Sequence, residues 1–238
     1  LKSYIADPVI VDELQPLARI SGWPEFERRS IFHALNHKAV GRKFAYGQGG
    51  KYEEYNLIIV HMGGGISIGV HEKGEVIDVN NAFNGEGPFS PERTGGLPVI
   101  SVIEACFSGN FADAIDVKTS FVGKGGLLAY LGTNDAREVD RRIESGDEEA
   151  RFILDAMAYQ IAKEIGSAAT VLKGEVDAIL LTGGLAYDTY LVEWIIERVL
   201  FIAPVRVFPG EDELKALAQA VDEALGEKKP ILKYSKEA

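Results

Sequence analysis

The 238 residues are 46% hydrophobic and 26% charged, the ordinary make-up of a globular protein with enough chain to bury a core. Acidic side chains outnumber basic ones 36 to 25, for a formal charge of -11. That balance excludes a general nucleic-acid binder, which needs a basic face, but not a nucleotide ligand held by backbone N–H groups.

Cys106 is the only cysteine, so no internal disulfide can form. Its setting, Ile103-Glu104-Ala105-Cys106-Phe107, reads as a buried helical thiol. No apolar run approaches the ~18 residues of a membrane span, and no signal peptide precedes the first predicted strand. The expected compartment is the cytoplasm, with no membrane partner.

In chain order, Tyr4 to Val11 reads as a strand running into a loop at Asp7-Pro8. After a turn at Gly22-Trp23-Pro24, the spacing of Ile31, Leu35, Ala39 and Phe44 predicts a helix from Phe26 to Phe44, broken by Gly47 to Gly50. Leu57-Ile58-Ile59-Val60 is a continuous apolar run suited to a buried strand. Ile66 to Val70 alternates with period two, Glu72-Lys73-Gly74-Glu75 supplies a hairpin turn, and Val76 to Val79 pairs back. Residues 57–79 are thus three consecutive strands with a glycine loop at the first turn.

Asn80 to Gly96 is a Gly-, Pro- and Asn-rich loop of the length that usually carries function. Leu97 to Phe107 and Asn134 to Ser145 read as helices. Asp147 caps a long helix from Glu148 to Lys173, whose Ile153, Met157, Ile161 and Ile165 form a core stripe. Val176 to Leu181, Tyr190 to Val199 and Phe201 to Phe208 make a strand–helix–strand unit, so those two strands should be parallel. A helix from Glu211 to Leu225 and a polar tail over 226–238 close the chain.

Gly63-Gly64-Gly65 leaves N–H groups unshielded for an anionic oxygen, or is an ordinary hairpin turn. Thr182-Gly183-Gly184 lies where open α/β sheets bind ligands, or is a tight strand-to-helix turn. No GxxxxGK[ST] loop and no GxSxG elbow is present. His33 and His37 share one helical face without the intervening glutamate of a zinc pair. His61 sits at the mouth of the glycine loop, and His71 reads as an exposed hairpin residue. Arg93, flanked by glycines, can grip phosphate or carboxylate, or form a surface salt bridge with Glu86 or Glu92. Asp7 is a magnesium carboxylate or a turn former.

Taken in order, Ile5-Ala6-Asp7-Pro8-Val9, Phe32-His33-Ala34-Leu35-Asn36-His37-Lys38, His61-Met62-Gly63-Gly64-Gly65-Ile66-Ser67, Asn81 to Pro98 and Leu181-Thr182-Gly183-Gly184-Leu185-Ala186-Tyr187 resemble butyrate kinases of the acetate/butyrate kinase family. The resemblance runs from about Ser3 to Leu225. It implies the α/β, ribonuclease-H-like fold of the actin and sugar kinase superfamily, a mixed sheet flanked by helices. It also implies magnesium-dependent transfer of the ATP γ-phosphoryl group to butyrate or a branched short-chain acid, giving an acyl phosphate and ADP. A sugar kinase or a non-catalytic nucleotide binder of the superfamily is the rival reading.

By the same resemblance, His61, Gly63, Gly64 and Gly65 form a phosphate loop, and Gly183, Gly184 and Leu185 an adenosine-binding turn. Arg93 and His33 stabilise the transferring group. Asp7 lies near the phosphoryl group and the magnesium, with Glu211 or, in another register, Glu213 as a second carboxylate. A homo-oligomer is expected. Acetate kinases carry Gly-Thr-Ser where this chain has Ala34-Leu35-Asn36, which favours a longer acyl chain. Their opening Asn-Pro-Gly-Ser-Thr loop has no match here, so residues 1–225 are expected to be mostly a second domain. A first domain of roughly 100 residues would be absent from the sequence.

Overall fold

A computed structural model describes residues 4–211 and 213–226; all but the first residue of the 226–238 tail lies outside them. Its strands are β1 (Asn56–Met62), β2 (Ile66–Glu72), β3 (Glu75–Val79), β4 (Ala178–Gly183) and β5 (Val205–Pro209). They form one sheet in the order β3-β2-β1-β4-β5. The first three are an antiparallel meander, and β4 and β5 run parallel to β1. Lys73 and Gly74, both at positive φ, close the second hairpin in the left-handed conformation that short hairpin turns require.

The helices among the described residues are α1 (Pro16–Arg19), α2 (Ala34–Gly47), α3 (Val99–Phe107), α4 (Ala114–Gly123), α5 (Gly126–Leu131), α6 (Ala136–Glu144), α7 (Glu148–Val171), α8 (Thr189–Val199) and α9 (Glu213–Leu225). The continuous apolar runs of β1 and β4 follow from burial on both faces. Ile58, Val60, Ile179 and Leu181 pack with Met157, Ile161 and Ile165 of α7. Their neighbours Leu57, Ile59, Ala178 and Leu180 pack with Phe44 of α2 and Tyr52. Asp147 caps α7 as expected, accepting from Ala150 N at 3.0 Å. The mixed sheet flanked by helices agrees with the expected fold class.

Four local expectations are corrected. Tyr4 to Val11 is not a strand: Asp7 has a φ of 39°, Pro8 lacks an N–H for a ladder, and Ile5 is 84% exposed. The helix expected from Phe26 begins only at Ala34, because residues before it are claimed by tertiary partners. Phe32 N donates to Val9 O, Ser30 Oγ to Val11 O, and Arg28 reaches Asp78 at 2.9 Å. Cys106 is helical but exposed, since α3 buries none of its residues. His71 is fully buried, because α2 covers that face of β2. Helices α4 and α5, between Phe107 and Asn134, were not foreseen; short segments joined by Gly123 to Gly126 give little periodicity to read.

Candidate active site

The carboxyl ends of β1, β4 and β5 meet at one edge of the sheet, where α/β folds bind their ligands. The chain leaves β1 through Gly63-Gly64-Gly65, closed by a bond from Gly63 N to Gly65 O of 3.0 Å. The 80–96 loop folds over this turn, with Ser90 Oγ donating to Gly64 O at 2.6 Å. A side chain at Gly65 would overlap the Arg93 guanidinium, so glycine there is what lets the arginine lie against the turn.

Arg93 is half-buried. Its Nη1 donates to Ala82 O at 2.7 Å, and its guanidinium lies 5.4 Å from the Phe83 ring centre. Its Nε is buried without a partner. The surface carboxylates considered for it are engaged elsewhere: Glu86 accepts from Asn81 N, and Glu92 from Asn134 Nδ2.

Phe83 also touches His33, with ring centres 5.1 Å apart. His33 is the residue preceding α2 and stacks on His61 with centres 4.0 Å apart. Burial first, then the neighbouring His61 and Arg93, lowers the His33 pKa to about 3, so its ring is neutral. His61, in β1 and 1% exposed, places Nε2 3.1 Å from Glu211 Oε1. That hydrogen bond holds the Glu211 carboxyl below its usual range. Glu213 instead accepts from Asn36 at 3.1 Å, so Glu211 is the one that faces the histidines.

Asp7 is not brought to this cluster. Its carboxylate is 3.0 Å from Arg42, nine residues beyond His33, or roughly 13 Å along the helix axis at 1.5 Å per residue. Among the described residues no group of three or more His, Cys, Asp or Glu side chains could hold a metal ion.

Beside the glycine turn lies a cleft of about 510 Å³, lined by Gly63, Gly64, Glu92, Gly184, Leu185 and Asp188 among others. The two glycines of the second turn have separate roles. Gly183 has a φ of +89°, and a side chain there would overlap the Met62 carbonyl. Gly184 has open space at its Cβ position and faces the cleft.

Asp188 caps α8, accepting from Leu191 N at 2.9 Å with Oδ1. Its Oδ2 and Asp140 Oδ1 are buried without a protein donor. Burial, with Asp140 beside it, pushes the Asp188 carboxyl up to about 7. The folded state therefore binds this proton more tightly than the unfolded chain. Stability from this source is complete below the ordinary aspartate value of 3.8 and is lost as pH rises to about 7. Asp188→Asn keeps an oxygen for the cap and offers N–H to Asp140. Urea unfolding across this range should show wild type losing on the order of 4 kcal/mol relative to the variant. A difference independent of pH would mean that Asp188 titrates as an ordinary surface acid.

A family model described as the Acetokinase family matches residues 25–206. The chain belongs to the acetokinase family. Asp7, Glu211 and Glu213 fall outside the matched residues, whereas His33, His61, the glycine turn, Arg93 and Gly183-Gly184 fall within them. The chain is similar in structure to acetate kinase from Porphyromonas gingivalis, with a TM-score of 0.80 at 20% identity over 91% of this chain. For a propionate kinase from Francisella tularensis subsp. tularensis the TM-score is 0.75 at 19% identity over 88%. A ROK family protein from Streptococcus pneumoniae gives 0.51 at 12% identity over 80% of this chain and 65% of its own. The chain spans 62% and 61% of the acetate and propionate kinase chains. These likenesses establish the fold expected from the sequence. Among the described residues, no helix is long and apolar enough to cross a membrane.

Signals for some of these residues were present but unread in the sequence. Asp188 stands as a cap before α8, and Asn134 to Ser145 read only as a charged helix, although Asn134, Arg137 and Asp140 line the cleft. Nothing local marks Ser67 or Phe83.

Proposed function

We propose that this acetokinase-family chain belongs to a carboxylate kinase that transfers the ATP γ-phosphoryl group to a short-chain fatty acid, butyrate being preferred. The observation that carries the reading is Arg93, half-buried and laid against the glycine turn, with the neutral His33 one aromatic ring away. A carboxylate acceptor is already ionised at pH 7, so the site needs no general base. It needs donors and positive charge to hold two anions in line and to stabilise the equatorial oxygens during transfer.

Adenosine would occupy the cleft at Gly184 and Leu185, with its phosphates toward the N–H groups of Gly64 and Gly65. Magnesium usually binds through one or two carboxylates plus substrate phosphates. Glu211, 42% exposed at its side chain, fits that role, while Asp7, committed to Arg42, does not. The ion would neutralise charge on the phosphates. Arg93 would then hold the acceptor carboxylate or the transferring oxygens, and a side chain that donates without accepting suits that task.

Acyl-hydroxamate formation by the native protein, with ATP, magnesium and hydroxylamine, tests the reaction. Turnover with glucose but with no carboxylic acid would overturn it in favour of a sugar kinase. Support for butyrate rests on Ala34-Leu35-Asn36, with Leu35 half-buried in the first turn of α2 beside His33. Two more methylenes offer about 0.8 kcal/mol each, so kcat/KM for butyrate should exceed that for acetate by ~10-fold. A higher value for acetate would assign the chain to acetate instead.

A further inference from the structure

Four side chains lead away from His33 into the protein. His33 Nδ1 is 2.9 Å from Ser67 Oγ, and the same Oγ is 2.8 Å from His37 Nε2. His37 Nδ1 is 3.1 Å from His71 Nε2, and His71 Nδ1 is bonded to the Tyr52 hydroxyl. Ser67, His37 and His71 are each fully buried, and Tyr52 is 4% exposed.

The sheet register builds this row. On β2, Ser67, Gly69 and His71 pair with His61, Ile59 and Leu57 of β1, so all of them share the face that α2 covers. Gly69 leaves the gap in which the two rings meet. A Cβ there would stand 2.9 Å from His37 Nδ1 and 3.0 Å from His71 Nε2.

We infer that Tyr52 and His71 are positioning residues that fix the tautomer of His33 through this row, leaving Nε2–H as the donor His33 presents to the site. Its consequence for phosphoryl transfer rests on the carboxylate kinase reading, whereas the tautomer itself follows from the geometry.

A neutral imidazole has one N–H and one bare nitrogen, and the partner of one decides the state of the other. Burial lowers the pKa of His37 and His71 and raises that of Tyr52, so the rings are neutral and the phenol keeps its proton. That O–H has one acceptor among the described residues, His71 Nδ1. His71 therefore carries its proton on Nε2 and donates to His37 Nδ1. His37 in turn carries its proton on Nε2 and donates to Ser67 Oγ. The serine O–H is left to donate to His33 Nδ1, and the His33 proton must sit on Nε2. The reverse order would bury the tyrosine O–H with no acceptor, which costs more than a satisfied bond gains.

Ring-nitrogen NMR of the 15N-labelled 238-residue chain near neutral pH reads this directly. The expected spectrum has His33, His37 and His71 all neutral and protonated at Nε2. In Tyr52→Phe, with the anchoring donor gone, His33 should become a mixture of tautomers although four bonds away. Ser67→Ala, which cuts the row next to the ring, should do the same if Tyr52→Phe does not fold. A wild-type His33 protonated at Nδ1 overturns the inference, as does a folded variant whose His33 spectrum is unchanged. In the native protein, Tyr52→Phe should lower kcat by about 10-fold, as for other outer partners of a site histidine, with KM unchanged. Correct tautomers without carboxylate kinase activity would refute the functional reading alone; wrong tautomers with activity would refute the row alone.

Discussion

Replacing Arg93 with alanine should lower kcat for acyl phosphate formation by about 10²–10³-fold, with a much smaller change in ATP affinity. The guanidinium occupies the space that Gly65 leaves open and is steadied by Ala82 O and the Phe83 face. It is therefore preorganised, and stabilises developing charge without having to reorganise during the reaction. Lysine should not substitute well, because a single ammonium cannot keep the Ala82 bond and also offer a planar pair of donors. Loss of the Ala82 bond should cost about 1.5–3 kcal/mol of stability, below the roughly 5–15 kcal/mol that holds a domain folded, so the variant should fold. Steady-state kinetics with ATP and butyrate, beside calorimetry for nucleotide, separate the two effects. Near-wild-type turnover would remove Arg93 from the chemistry.

Gly184→Val should weaken ADP binding by about 100-fold, roughly 2.7 kcal/mol, while leaving the thermal midpoint almost unchanged. Space at the Gly184 Cβ is open on the protein side, so valine meets nothing until a ligand enters the cleft. Gly183→Val is the contrasting variant. Its left-handed φ and the Met62 carbonyl leave no room for a side chain where β4 passes β1, and that variant should be poorly folded. Calorimetry with ADP together with a thermal melt distinguishes a blocked ligand from a damaged sheet. An unchanged dissociation constant for Gly184→Val would make the turn purely structural.

Much of this arrangement was legible in residue order because the signals are local. Period two through Ile66 to Val70, the Lys73-Gly74 turn and the four-residue stripe of α7 each depend only on neighbours in the chain. The strand–helix–strand unit from Val176 to Phe208 likewise placed β4 and β5 parallel, whereas the parallel pairing of β1 with β4 that brings both glycine turns to one edge of the sheet came only from the fold. Two of the five motifs that resemble butyrate kinases lay on those turns.

Sequence alone determined that strands, glycine turns, Arg93 and the paired His33 and His37 exist in an order suited to a nucleotide site. Tertiary structure alone decided which side chains meet there. A hairpin residue such as His71 is exposed if its face of β2 is bare and buried if α2 lies across it, and that depends on a segment far away in the chain. Phe26 to His33 carries a helical spacing, yet contacts with Val9, Val11 and Asp78 outweigh that preference. Asp7 and Glu211 look alike as acidic residues near turns, but Arg42 holds one away and His61 draws the other in. Local propensity is worth at most about 0.7 kcal/mol per ordinary residue, whereas a buried polar group left without a partner costs about 1–3 kcal/mol. Packing therefore settled the positions that patterning left open.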